Sequence, residues 1–340
     1  MKNKIFLKRG FFSEKSKEIF KNDNFTVDIF IYSSGVEAVK LTNSRGYVTV
    51  LPYMGQIIWD AEFDGISLRM KNMFSQPKPA NCIIDTYGCF AFHSGLLSNG
   101  CPSPEDTHPM HGEMSCAPID EAWLELSDET ISVTGQYEYC QGFGYHYLSH
   151  PSLTIKANDT KMDIGMKVKN LTGIDMPLQY MCHMNYAYVD NAIISSNVPE
   201  KAFKLRESIP AHVKPTPKWM HYNEDIKQLQ KNGSTLTKLD QPDMYDPEIV
   251  FMADDLKNYT ENAVFEIDSP KGFGFKTTFS TKEFPCATRW LLYNADQQVS
   301  AFVLPATCRP EGFLAAKKSG TLIMLKSNEE KYFSVTTGKK

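Results

Sequence analysis

Apolar and polar residues alternate with a period of two along most of the chain, the spacing that puts one face of a strand against a core and the other toward water. Residues 25–32 set Phe25, Val27, Ile29 and Ile31 against Thr26, Asp28 and Phe30. Segments 36–41, 47–51 and 56–63 follow, parted by Asn43-Ser44-Arg45-Gly46 and Pro52-Tyr53-Met54-Gly55. Asp64-Gly65 then predicts a two-residue hairpin into a return strand, 66–70, that carries Arg69. Strands are predicted again at 122–126, 130–140, 152–157 and 161–170. In the last of these Met162, Ile164, Met166 and Val168 share one face. The apolar strand 178–188 holds His183 and Asn185 in its middle. Further strands fall at 248–252, 263–267, 272–279, 287–293, 299–304, 321–325 and 332–336.

Helical signals are few. Ser13 can cap a short helix over 13–20, residues 218–231 carry a weak helical period, and 309–320 read as a turn or short helix. Almost nothing has βαβ spacing. The pattern predicts an all-β chain, a large antiparallel β-sandwich. It forms one domain over residues 1–340, with an N-terminal appendage at 1–24 and a loop and helix insertion at 205–247.

One stretch obeys neither period. Residues 92–116 hold three of the eight histidines, His93, His108 and His111, with Glu105, Asp106 and Glu113 among glycines and prolines. This reads as a long loop, the kind of segment where ionisable groups gather for binding.

Composition narrows the class. The 340 residues are 42% hydrophobic and 22% charged, enough for a packed core, and the net charge of −4 is spread without a basic stripe, which argues against nucleic acid as a partner. No apolar run is long enough to span a bilayer, and lysines interrupt the first dozen residues where a signal peptide would be apolar, so a cytoplasmic location is expected. The eight cysteines form no C-x-x-C pair and are expected to be reduced and mostly buried.

Candidate chemistry lies in a few places. His111 and Glu113 form an H-x-E pair, and His183 and Asn185 an H-x-N pair, each spaced to share a strand face. A single histidine in an apolar strand is commonly a core residue with a satisfied partner. Two polar groups pointing the same way from such a strand both require partners. Glu311, in Arg309-Pro310-Glu311-Gly312, follows a buried strand and matters only if that strand end opens beside His183. A three-histidine, one-carboxylate metal site from His93, His111, Glu113 and His183 is an alternative, although the spacing fits no metal signature.

The order of several short pieces resembles the aldose 1-epimerase (galactose mutarotase-like) superfamily, and within it the DUF4432-type branch. The pieces are the run from Leu51 to Trp59 followed by Arg69, the loop from Gly95 to Gly100, His111-Gly112-Glu113, Asn170 leading to His183-Met184-Asn185, and Pro310-Glu311-Gly312. The resemblance implies a twisted β super-sandwich with a sugar cleft. It also implies an isomerase activity without a cofactor: interconversion of the α and β anomers of a small-molecule sugar. By resemblance Glu311 is the base and His183 the acid, Arg69 and His111 hold the sugar, and His93, Glu113 and Asn185 line the pocket.

The chain departs from typical galactose mutarotases after its second histidine, where Met184-Asn185-Tyr186 stands, and in the Glu113 that follows Gly112. Both departures leave room for a ketose, a deoxy sugar or an acidic sugar. Residues 1–24 and 210–247 have no counterpart in the resemblance; covering the cleft or joining a homodimer are the two uses open to them. Two rival readings remain: a non-catalytic carbohydrate-binding protein on the same fold, and a metal-dependent isomerase or lyase using the histidine cluster.

Overall fold

A computed structural model of the protein describes residues 3–340. Two sheets dominate it. One has nine strands, running from Asn3–Leu7 at one edge, through Glu121–Leu126, Thr130–Cys140, His146–Lys156, Lys161–Asn170, Glu330–Lys339, Gly274–Ser280 and Asn262–Asp268, to Ile193–Ser196. The other has thirteen strands, with Ile249–Ala253, Cys286–Tyr293, Gln298–Ala306, Met176–Met184, Ala91–Leu96 and Ile57–Phe63 as successive central members. The named pairs are antiparallel throughout. The expected antiparallel β-sandwich is what folds.

The alternation in the sequence sets the layers. Met162, Ile164, Met166 and Val168 are all buried in the strand Lys161–Asn170, while Lys161, Asp163, Lys167 and Lys169 stay partly or fully exposed. Burying side chains of this size contributes about 1.5–3 kcal/mol each. Tyr180, from the thirteen-stranded sheet, meets Phe333 of the nine-stranded sheet with ring centroids 5.1 Å apart, which places it between the layers.

The strand Met176–Met184 is different: all nine residues are buried. One face looks into the sandwich. The other is roofed by chain from outside the sheets, including the insertion. There the helix Pro217–Lys231 starts with Pro217 behind Thr216, whose hydroxyl accepts the Trp219 amide hydrogen at 3.2 Å. Trp219 Nε1 donates to the Glu248 carbonyl at 2.6 Å, and Gln230 Nε2 to the Phe203 carbonyl at 2.8 Å. These bonds tie the helix to the edge of the sheet.

Three expectations need revision. Residues 13–20 form no helix: Lys17–Lys21 is a strand at the edge of the thirteen-stranded sheet, paired with Thr26–Ile31. The residues 3–24 read as an appendage supply edge strands to both sheets, Asn3–Leu7 to one and Lys17–Lys21 to the other. Backbone pairing with a waiting edge outweighs the weak intrinsic helix preference of so short a run. The loop expected at 92–116 begins later, because Ala91–Leu96 is a central strand.

Arg289 is fully buried. Its Nη1 donates to the Leu236 carbonyl at 2.9 Å and lies 3.5 Å from Glu200 Oε2, and the guanidinium stands 4.6 Å from the Phe203 ring centroid. Arg289→Ala therefore leaves a void and an uncompensated Glu200 carboxylate. We expect a loss of about 3–5 kcal/mol in stability, measured by urea unfolding of the two proteins.

Candidate active site

A cavity of about 420 Å³ opens on the face of the thirteen-stranded sheet that points away from the sandwich core. Its floor is made by alternate residues of adjacent strands: Met181 and His183, Thr288 and Trp290, Val250 and Leu304. Its roof comes from Phe74 and Tyr87, from Cys101 and His111, and from Arg206, His212 and Val213 of the insertion. The insertion therefore lines this cavity.

His183 lies at the centre and is 4% exposed. Its ring stacks on Phe92 at 4.6 Å and 16°, and the His111 ring meets it edge-on at 4.9 Å. Trp290 and Tyr87 close the sides, at 5.8 and 6.1 Å. The Tyr87 hydroxyl is 3.5 Å from both His183 Nε2 and Asn185 Oδ1, so the H-x-N pair does share a face. His183 Nδ1 is buried with no hydrogen-bond partner among the described residues. Burial, and then the neighbouring His111, push the pKa of His183 well below its ordinary value.

His111 reaches the cavity through an unusual backbone. Its φ of 62° is left-handed, and its amide donates to the Gly100 carbonyl at 2.9 Å. Ser94 Oγ donates to Asn99 Oδ1 at 2.5 Å and lies 3.0 Å from His111 Nδ1. A hydroxyl has one hydrogen, so with that hydrogen on Asn99 it accepts from His111 Nδ1–H. The Nε2 lone pair is then left bare. Burial pushes the pKa of His111 down to about 3, so the ring is neutral near pH 7.

Across from these imidazoles is a charged cluster that the sequence reading missed. Glu248 has an 8% exposed side chain; Arg206 Nη2 donates to its Oε1, and Trp290 Nε1 to its Oε2 at 2.7 Å. His212 Nε2 stands 3.7 Å from the same Oε1. Burial raises the Glu248 pKa, but His212 and Arg206 outweigh it and the net shift is downward. Hydrogen bonding with the Cys101 side chain and with Glu248 pushes His212 up to about 10. The cluster is a carboxylate holding an imidazolium and a guanidinium. No spacing links residues 206, 212 and 248 in the sequence. The one available signal was Glu248 directly after Pro247 at the head of an apolar strand, on the boundary of the insertion.

The other expected residues lie elsewhere. His93 is on the opposite face of its strand from Phe92 and Ser94, with Nδ1 2.8 Å from the Tyr180 hydroxyl between the sheets. It is a buried core histidine with a satisfied partner. Glu113 Oε1 accepts the Leu96 and Leu97 amides and the Tyr147 hydroxyl, each at 2.9 Å, and so braces the 95–97 turn instead of lining the cavity. Arg69 sits 3.5 Å from Asp60 and over the Trp59 ring, away from the cavity wall. Asn185 Nδ2 donates to the Cys89 carbonyl at 3.1 Å, beneath Tyr87. Glu311 lines a neighbouring cavity of about 590 Å³, where Ser208 Oγ donates to it and Arg309 is 3.9 Å away. Only Pro310, one residue before, reaches the His183 cavity. The proposed metal set of His93, His111, Glu113 and His183 is thus not assembled. Among the described residues no group of three or more His, Cys, Asp or Glu side chains could hold a metal ion.

A family model described as a domain of unknown function, DUF4432, matches residues 33–192 and 211–338. The chain belongs to the DUF4432 family. No curated protein matches it in sequence. Solved structures share the fold. A Klebsiella pneumoniae protein named a putative aldose 1-epimerase is 14% identical, with a TM-score of 0.77 over 100% of this chain and 91% of that one. A galactose mutarotase-like protein from Clostridium acetobutylicum is 12% identical, with a TM-score of 0.61 over 94% and 99%. Galactose 1-epimerase from Lactobacillus acidophilus is 12% identical, with a TM-score of 0.57 over 100% and 99%. The fold of this DUF4432 chain is the galactose mutarotase-like super-sandwich. No helix among its described residues is long and apolar enough to cross a membrane.

The His111 loop is held where Gly100 meets Pro310. A Cβ on Gly100, whose φ is +76°, would lie 2.2 Å from the Pro310 carbonyl carbon. Gly100→Ala is expected to cost about 2–3 kcal/mol and to lower the melting temperature; thermal unfolding of the purified variant checks it.

Proposed function

We propose that this protein is a sugar mutarotase of the aldose 1-epimerase type, and that the His183 cavity is its active site. The observation that carries the reading is the wall chemistry of that one cavity: two neutral imidazoles facing an imidazolium on a carboxylate, between aromatic rings. Ring opening of a sugar needs a group that takes the proton from the anomeric hydroxyl and a group that gives one to the ring oxygen. His111 offers a bare Nε2 as the acceptor, and the neutral ring of His183 stands edge-on beside it at 4.9 Å. His212, held protonated beside Glu248, is the donor.

In this scheme the O1–H proton moves to an imidazole as C1=O1 forms and the C1–O5 bond breaks. The proton of His212 moves to O5. Rotation about C1–C2 presents the other carbonyl face; O5 attacks it, O5 returns its proton to His212, and O1 takes back the proton held by the imidazole. The protein ends as it began. Trp290 and Tyr87 suit the apolar faces of a sugar ring, and Arg206 and Glu248 suit hydroxyls. The carboxylate of this set is Glu248, which together with Cys101 keeps His212 charged, in place of the Glu311 expected from the resemblance. The same fold can bind sugars without catalysis, but a matched acceptor and donor in one cavity favours the enzyme.

Proton NMR of freshly dissolved pure anomers, followed with each variant, tests the assignment. His111→Ala and His183→Ala should each slow equilibration by about 100-fold or more, and Glu248→Gln should slow it strongly, while Glu311→Gln keeps most of the rate. Retained activity in the Glu248 variant together with loss in the Glu311 variant would overturn it.

The pH dependence has a definite sign. His111 must be neutral to accept, and its folded pKa is lowered to about 3, so its base form is lost only as pH falls through that value. His212 must be protonated to donate, and its pKa is raised to about 10, so its acid form is lost as pH rises through that value. The rate constant should therefore be level between these limits wherever the protein stays folded. A step near 6.5, the ordinary histidine value, would show that an unshifted imidazole governs the reaction.

A further inference from the structure

The charges at the Glu248 corner do not balance. Arg206 and His212 bring two positive charges to one carboxylate. Both Glu248 oxygens are already engaged, Oε1 by Arg206 and Oε2 by Trp290. The Arg206 and Glu248 side chains are only 9% and 8% exposed and that of His212 is 42% exposed, so water compensates the guanidinium less than the imidazolium. Of the remaining ionisable groups on the cavity wall, Cys101 hydrogen-bonds with His212, and the others lie away from the corner or are neutral. His111 and His183 are neutral, Tyr87 is protonated because burial holds its pKa well above the ordinary value, and Asp246 is an exposed rim residue bonded to Asn294 at 3.1 Å. Arg206 also has capacity left. Its Nε donates to the Ser208 carbonyl at 3.0 Å and its Nη2 to Glu248, while Nη1 has no partner among the described residues.

Resting on the sugar reading of this cavity, we infer that the substrate is an anionic sugar, one whose carboxylate or phosphate group is received by Arg206 at the Glu248 corner. A guanidinium Nη1–H to an oxyanion is a charge-assisted bond, about twice as strong as a neutral one. It also supplies the missing negative charge. A neutral sugar leaves the corner with its excess positive charge. The anomeric carbon of the same molecule lies toward His111 and His183, so the anion is at the far end of the sugar from the reacting bond.

Matched pairs test this by calorimetric titration of the full chain: D-glucose against D-glucuronate, D-galactose against D-galacturonate, and D-glucose against D-glucose 6-phosphate. The first two pairs report a carboxylate and the third a phosphate. In at least one pair the anionic member should bind ~10-fold or more tightly than its neutral twin, as expected of a hydrogen bond to a charged group, and added salt should narrow the gap. Arg206→Gln should abolish the preference and Arg206→Lys retain most of it, with melting temperatures confirming that both fold. Neutral twins that bind as tightly as anionic ones in every pair, or a preference intact in Arg206→Gln, would overturn the inference. Anomer NMR on the same sugars separates the two levels. Acceleration of neutral sugars alone removes the charge inference and leaves the mutarotase reading, whereas no binding and no acceleration of any sugar removes both.

Discussion

The double burial of one strand governs the rest of the molecule. Met176–Met184 cannot leave either face to water. Tyr180, Cys182 and Met184 are satisfied by the sandwich, as any central strand is. Met181 and His183 face the other way and need a second cover, which the sheets themselves cannot give. That cover is the insertion with the 73–87 and 101–111 segments, and it creates a closed space over a polar residue. Removing His183 from water is what keeps its ring neutral, so the packing requirement and the chemistry have one origin.

The same cover carries the opposite charge state. His212 comes from the insertion, and its partners, Glu248 and Cys101, come from two other parts of the chain. Cys101 and one carboxylate keep an imidazolium protonated in the same cavity as imidazoles that burial keeps neutral. Two histidines in bulk water would share one pKa; here desolvation moves one set down and ion pairing moves the other up. One cavity therefore brings together imidazoles in two charge states.

The strand pattern was legible in the sequence because period-two alternation is local, and the helix expected at 218–231 because its weak apolar period is local too. The failures have physical causes of the same kind. Residues 17–21 became a strand because an unpaired edge was waiting for them. His93 was grouped with His111 by nearness in sequence, yet adjacent residues of a strand point to opposite faces, and Phe92 and Ser94 own the cavity face. Glu113 found three donors in the turn beside it. Glu311 fitted the resemblance in sequence order, but Ser208 and Arg309 hold it in the next cavity.

Alternation, turn residues and the lack of a basic or apolar run were enough to determine an all-β sandwich, and His183 with Asn185 on one strand face, because each depends only on neighbours along the chain. Tertiary structure alone decided that Arg206, His212 and Glu248 meet, and which carboxylate shares a cavity with His183. Those contacts join an insertion to a sheet edge across stretches of chain that no local periodicity relates, and their pKa shifts arise only when the cavity closes around them.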